Sequence, residues 1–85
     1  NKYGIQEGLN AGCWTVAISE WSPYIDVNSL KEWYSMSEEQ RKVLQEHAYE
    51  QLKKESNAHY VIKQISELPH VLYEINSKLA KGTTP

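Results

Sequence analysis

Few side chains here are of types that do chemistry, and their spacing argues against most of it. The three histidines, His47, His59 and His70, fall on different predicted elements. No pair has the tight CxxC or HxxxH spacing that a structural zinc site needs. Cys13 is the one cysteine, so it has no partner for an internal disulfide, and a reducing cytoplasm is the expected compartment. It lies on a predicted buried strand, where a thiol packs as a small hydrophobe rather than reacting. Nucleophilic catalysis by serine or cysteine needs a base and an orienting group, and no such set is visible. Glu38 and Glu39 read as first-turn acids complementing a helix dipole, not as a catalytic pair. Glu7 points away from the Ile5/Leu9 stripe and reads as a solvated carboxylate. Gly4 and Gly8 form a GxxxG without the GK[ST] of a phosphate loop, leaving only the general affinity of a helix N-terminus for anions. The sequence therefore nominates no catalytic, cofactor-binding or metal-binding residue.

Eighty-five residues, 40% hydrophobic and 24% charged, allow one domain with a modest core. A net charge of −2 without a Lys/Arg patch excludes nucleic acid as the main partner. Lys53-Lys54 is a lone pair that suits a helix C-terminus. No apolar run reaches the roughly 20 residues of a membrane span, and Asn1-Lys2 does not open a signal peptide.

These residues need elements to carry them. The spacing predicts a helix over Tyr3–Ala11, stopped by Gly12 in the left-handed conformation. Cys13–Ile18 reads as a strand covered on both faces, the habit of parallel sheets. Ser19–Asn28 is a loop, and Asn28 or Ser29 caps a helical turn over Leu30–Tyr34. Ser37 and Gln40 form a capping box that starts a helix over Glu38–Glu55, with Val43, Leu44, His47, Ala48, Gln51 and Leu52 inward. Asn57 tolerates a left-handed stop. A second strand follows over His59–Ile62, then a turn in which Ser66 is an N-cap, with Pro69 in the first turn of the next helix. That helix, Leu68–Leu79, places Leu68, Val71, Leu72, Ile75 and Leu79 on one stripe, and Lys78 and Lys81 suit its C-terminal end. Gly82–Pro85 is expected to be a disordered tail. The fold class is α/β, ordered α-β-α-α-β-α, with two parallel strands flanked by helices and joined by a right-handed crossover.

Two blocks resemble a known family. GIQEGLNAGCWTVAI (Gly4–Ile18) and AHYVIKQISELPHVLYEINSKLAKG (Ala58–Gly82) are similar to the C-terminal part of phosphonoacetaldehyde hydrolases (phosphonatases), in the haloacid dehalogenase superfamily. Between them, Glu20–Asn57 matches only in helical character. The resemblance implies a partial Rossmann-like fold in which residues 1–85 correspond to the C-terminal part of a larger hydrolase core. It also implies a nucleophilic aspartate, a Schiff-base lysine and a Mg²⁺-binding acidic pair. All of these lie upstream of Asn1, so none is carried onto this sequence, and no cofactor is expected in this chain. At Gly4 the family often has an acid, and at Asn57 many members have glycine.

Two of these strands make a thin sheet, and an unpaired apolar edge is a template for association. Trp14, Val16, Ile18, Trp21, Tyr24, Trp33 and Tyr34 are therefore expected to supply an interface to a second copy or another protein chain. The expectation is a non-catalytic, self-associating interaction module. The alternative is the C-terminal segment of a phosphonoacetaldehyde hydrolase-like enzyme, cleaving a P–C bond with residues that lie elsewhere.

Overall fold

The structure, a computed structural model, describes residues 2–85. The elements are α1 (Lys2–Asn10), β1 (Val16–Ile18), α2 (Leu30–Ser35), α3 (Glu38–Glu55), β2 (Tyr60–Ile62), a 3₁₀ turn (Ile65–Glu67) and α4 (Leu68–Ala80). The expected α/β class is present: β1 and β2 pair in parallel, Val16 opposite Tyr60 and Ile18 opposite Ile62.

Alternation of side chains along the strands divides the helices into two layers. Ala17 and Val61 face α1 and α3, packing with Ile5, Leu9 and Leu52. Val16, Ile18, Tyr60 and Ile62 face α4, packing with Leu68, Val71 and Ile75. A third cluster joins Ile25, Trp33 and Ala48 below the loop that follows β1. The radius of gyration is 14.7 Å, against about 12 Å for a compact chain of this length. The core is three small clusters, not one centre.

Helix starts follow their capping residues. The Ser29 hydroxyl accepts from the Glu32 N–H at 3.1 Å. Ser37 and Gln40 close the capping box at 2.9 and 3.1 Å. Two helices end in the same hydrogen-bonded turn. Gly12 (φ 74°) donates to Leu9 while Cys13 donates to Gly8, at 3.1 and 2.9 Å. Gly82 (φ 76°) donates to Leu79 while Thr83 donates to Lys78, at 3.0 and 2.9 Å. Both are Schellman turns, which need a left-handed residue at the helix exit. After α3 the left-handed residue is Asn57 (φ 55°), and the next N–H, of Ala58, donates to the Ser56 hydroxyl at 3.3 Å.

The strands are shorter than the sequence suggests, for one reason. The first begins at Val16, not Cys13, and the second at Tyr60, not His59. Cys13 is tied back to α1, and it is exposed rather than buried. Thr15 and His59 bond to each other instead of extending the ladder. Thr15 N–H donates to His59 Nδ1 at 3.1 Å, the hydroxyl lies 2.9 Å from the same nitrogen, and His59 N–H donates to the hydroxyl at 3.1 Å. One main-chain bond, Tyr60 N–H to Thr15 carbonyl at 3.1 Å, joins the knot to the sheet.

Three further expectations are corrected. Val43 (69% exposed) and His47 are outside the α3 contact face, which is Leu44, Ala48 and Leu52. Leu72 and Leu79 are about half exposed: two strands, about 5 Å apart, are narrower than the stripe of a helix 10–12 Å across. Ser66 is no cap; Glu67 Oε2 takes that role, accepting from the Lys63 and Gln64 N–H groups at 2.8 Å each. No helix is long and apolar enough to cross a membrane among the described residues.

Candidate functional site

Among the described residues, the free side of β1 is not covered by another strand. In a parallel ladder a residue's N–H and C=O point to the same side, and successive residues alternate. Thr15 C=O accepts from Tyr60 and Ser19 N–H donates to the Ile62 carbonyl at 2.9 Å, so residues 15, 17 and 19 face β2. The main-chain groups of Val16 and Ile18 therefore point away from β2. Beside them lies a hollow of about 640 Å³, lined by Ile5, Val16, Ala17, Ile18, Leu52 and the loop Glu20–Tyr24.

The loop is held by short-range bonds. Glu20 N–H reaches the Lys63 carbonyl at 3.0 Å, Ser22 N–H the Ser19 carbonyl at 3.0 Å, and Ile25 N–H the Ser22 carbonyl at 3.1 Å. This tight path puts Trp21 at φ 59°, a conformation that strains a bulky residue. Its ring meets Trp33 edge-on at 5.8 Å, and Tyr24 donates its hydroxyl to Glu55. Ser22 Oγ is buried here without a partner among the described residues.

The lining is mostly apolar. Among the described residues Glu20 is its only titratable side chain apart from the Tyr24 phenol, and no histidine, lysine or arginine lines it. No acid–base or nucleophile–base pair is therefore assembled in the hollow. Among the described residues no cluster of three or more His, Cys, Asp or Glu could hold a metal ion, and no step through Mg²⁺ is derived for this chain. The histidines stay apart: His59 is in the Thr15 knot, His70 faces Glu74 at 3.0 Å and His47 is exposed. Glu7 is exposed, as its position on α1 implies.

The residues expected at an interface do not gather into one surface. Val16, Ile18, Trp21 and Tyr24 line the hollow. Tyr34 is exposed on α2. Trp33 is not a surface residue: it is 6% exposed, packed with Ile25 and Ala48. Trp14 is half-buried on the α4 face, beneath Lys78 Nζ, which stands 5.0 Å from its ring centroid and 4.8 Å from that of Tyr60. The Thr15–His59 knot was illegible in the sequence, because its partners are forty-four positions apart with no motif linking them. The hollow was legible only as an unpaired edge.

Comparison with known proteins places the chain beside one enzyme family. It is 38% identical over 90 aligned positions to a phosphonoacetaldehyde hydrolase of Salmonella agona (strain SL483). It is equally similar to those of Salmonella typhi and Salmonella paratyphi C (strain RKS4594). Each match takes in 96% of this chain and 30% of the relative, so the chain spans less than a third of the curated relatives it matches. No protein-family model matches, and no solved structure does.

Proposed function

We propose that this chain is the C-terminal segment of a phosphonoacetaldehyde hydrolase-like enzyme of the haloacid dehalogenase type, a protein that hydrolyses the P–C bond of phosphonoacetaldehyde. The observation that carries the reading is a match running along 96% of the chain to 30% of such enzymes. The open edge of β1 is its structural counterpart. Main-chain groups of Val16 and Ile18 face outward over an apolar hollow, which is the surface a neighbouring strand and its side chains would cover. In this reading the remainder of the enzyme supplies the nucleophile, the Schiff-base lysine and the Mg²⁺ ligands. The present segment supplies two strands of the sheet and the helices on both of its faces. The lone Cys13 fits a reducing compartment, and the cytoplasm is the proposed one.

The test is complementation. The Salmonella enzyme lacking its matching segment is mixed with this chain, and phosphate release from phosphonoacetaldehyde is followed with Mg²⁺. Release above that of the truncated enzyme alone is expected. No release, where the enzyme's own segment restores it, would overturn the reading. Val16→Pro removes an outward N–H and should abolish complementation without changing the circular dichroism of the chain. A second copy is the competing occupant of the edge. A homodimer that persists on dilution in light scattering, and does not exchange for the truncated enzyme, would favour the self-associating module instead.

A further inference from the structure

We infer that the Thr15–His59 knot is a proton-operated latch that holds the entry ends of the two strands together. The hydrogen bonds fix the state of the ring. Thr15 N–H can only donate, and it points to His59 Nδ1 at 3.1 Å, so Nδ1 carries no proton and the ring proton is on Nε2. The Thr15 hydroxyl, 2.9 Å from the same nitrogen, shares the single Nδ1 lone pair with Thr15 N–H and accepts from His59 N–H at 3.1 Å. The lead-in to β1 and the lead-in to β2 are thus bound by a closed set of bonds that requires a neutral imidazole.

A proton taken from solvent onto Nδ1 converts that acceptor into a donor. The hydroxyl can turn and accept from it, but the Thr15 N–H is left facing another N–H and loses its partner. Nothing nearby compensates. Lys78 of α4 stands 5.0 Å from the Trp14 ring, which itself lies 4.9 Å from the His59 ring. The same ammonium stands 4.8 Å from the ring of Tyr60, the residue that follows His59. Among the described residues no carboxylate lies within ion-pair distance of His59. His59 is exposed, so solvent protons reach it without unfolding. The latch is placed where its release matters: Gly8 and Thr15 are so close that a Cβ on the glycine would stand 2.8 Å from Thr15 Cγ2. A Thr15 that turns must therefore move against α1.

The experiment compares the chain with His59→Asn, whose Oδ1 stands where Nδ1 stood and accepts at every pH. Urea unfolding is measured at pH 8 and pH 5. The folded-to-unfolded ratio of the wild type should fall about tenfold more than that of His59→Asn, the scale of one lost hydrogen bond. The other titrating groups, His47 and His70 included, are common to both proteins and cancel. An equal acid loss in the two proteins overturns the latch. Should His59→Asn fail to fold, nitrogen NMR of the unaltered chain decides. A ring protonated on Nε2 at pH 8, with Thr15 amide protection lost as His59 takes up its proton, supports the latch. A ring protonated on Nδ1, or protection unchanged through the titration, overturns it.

Discussion

The two strands enter the sheet alike and leave it differently. Before β1, α1 ends at a left-handed Gly12; before β2, α3 ends at a left-handed Asn57. Each lead-in then runs forward until Thr15 and His59 meet, and the N–H groups of Thr15, His59 and Tyr60 all find acceptors across the two lead-ins. At the far end the strands diverge. β2 runs into a 3₁₀ turn whose Glu67 carboxylate takes up the free Lys63 and Gln64 N–H groups. β1 runs into a loop with a strained Trp21 and an orphaned Ser22 hydroxyl, beside an uncovered apolar hollow. Among the described residues, orphaned polar atoms occur at both ends, Trp14 Nε1 and Tyr60 OH at the entry and Ser22 Oγ at the exit, so what sets the β1 exit apart is the strained Trp21 and the uncovered apolar hollow, the place where something else belongs.

The harshest way to break this contrast is Leu52→Ala. Leu52 is 3% exposed, packs with Ile5 and Ala17, and also lines the hollow. A truncation in a full core costs about 2–5 kcal/mol, depending on how far the site collapses. Next to the open hollow the loss should fall near about 2 kcal/mol in urea unfolding; a loss near the upper limit would mean that the hollow wall is rigid and already closed.

Gly8→Ala sharpens the entry side. Alanine favours a helix by about 1 kcal/mol over glycine, yet here its Cβ would meet Thr15 Cγ2 at 2.8 Å. Because the knot holds Thr15, the variant should lose about 1–2 kcal/mol, the scale of overpacking. Adding Thr15→Ser, which deletes the methyl and keeps the hydroxyl, should restore most of that in thermal melts.

On the exit of β2, Glu67→Ala should cost about 1 kcal/mol, the usual value of a helix-start acceptor, and Glu67→Gln should recover most of it. The smallest effect belongs to Lys63 and Glu46, an ion pair with both side chains about half exposed. The Lys63 ammonium holds the Glu46 carboxyl below its usual value, and Glu46 raises Lys63 in return. The bridge's contribution is therefore full above the ordinary carboxylate range and lost as pH falls through the lowered Glu46 value. It is also full below the ordinary lysine range and lost as pH rises through the raised Lys63 value. Glu46→Gln should leave the melting temperature unchanged within error, since exposed pairs contribute little.

The sequence by itself determined the local elements. Ser37 with Gln40 set the start of α3, Gly12 and Asn57 set helix exits, and the Tyr60–Ile62 centre set β2, because each depends on bonds or dihedral preferences within a few residues. The fold class followed from helices alternating with short apolar runs. Tertiary structure alone decided which apolar residues are covered. Val43, Leu72 and Leu79 have the right period and face solvent, since burial needs a partner surface and two strands are too narrow to provide it. Cys13 was drawn out of the strand by a turn closing on Gly8. Thr15 and His59 found each other only because α1 and α3 deliver their strands side by side, and contacts across such a span depend on the path of the whole chain. The vacant edge of β1 belongs to the same class: its outward groups are fixed by register with β2, which no local pattern encodes.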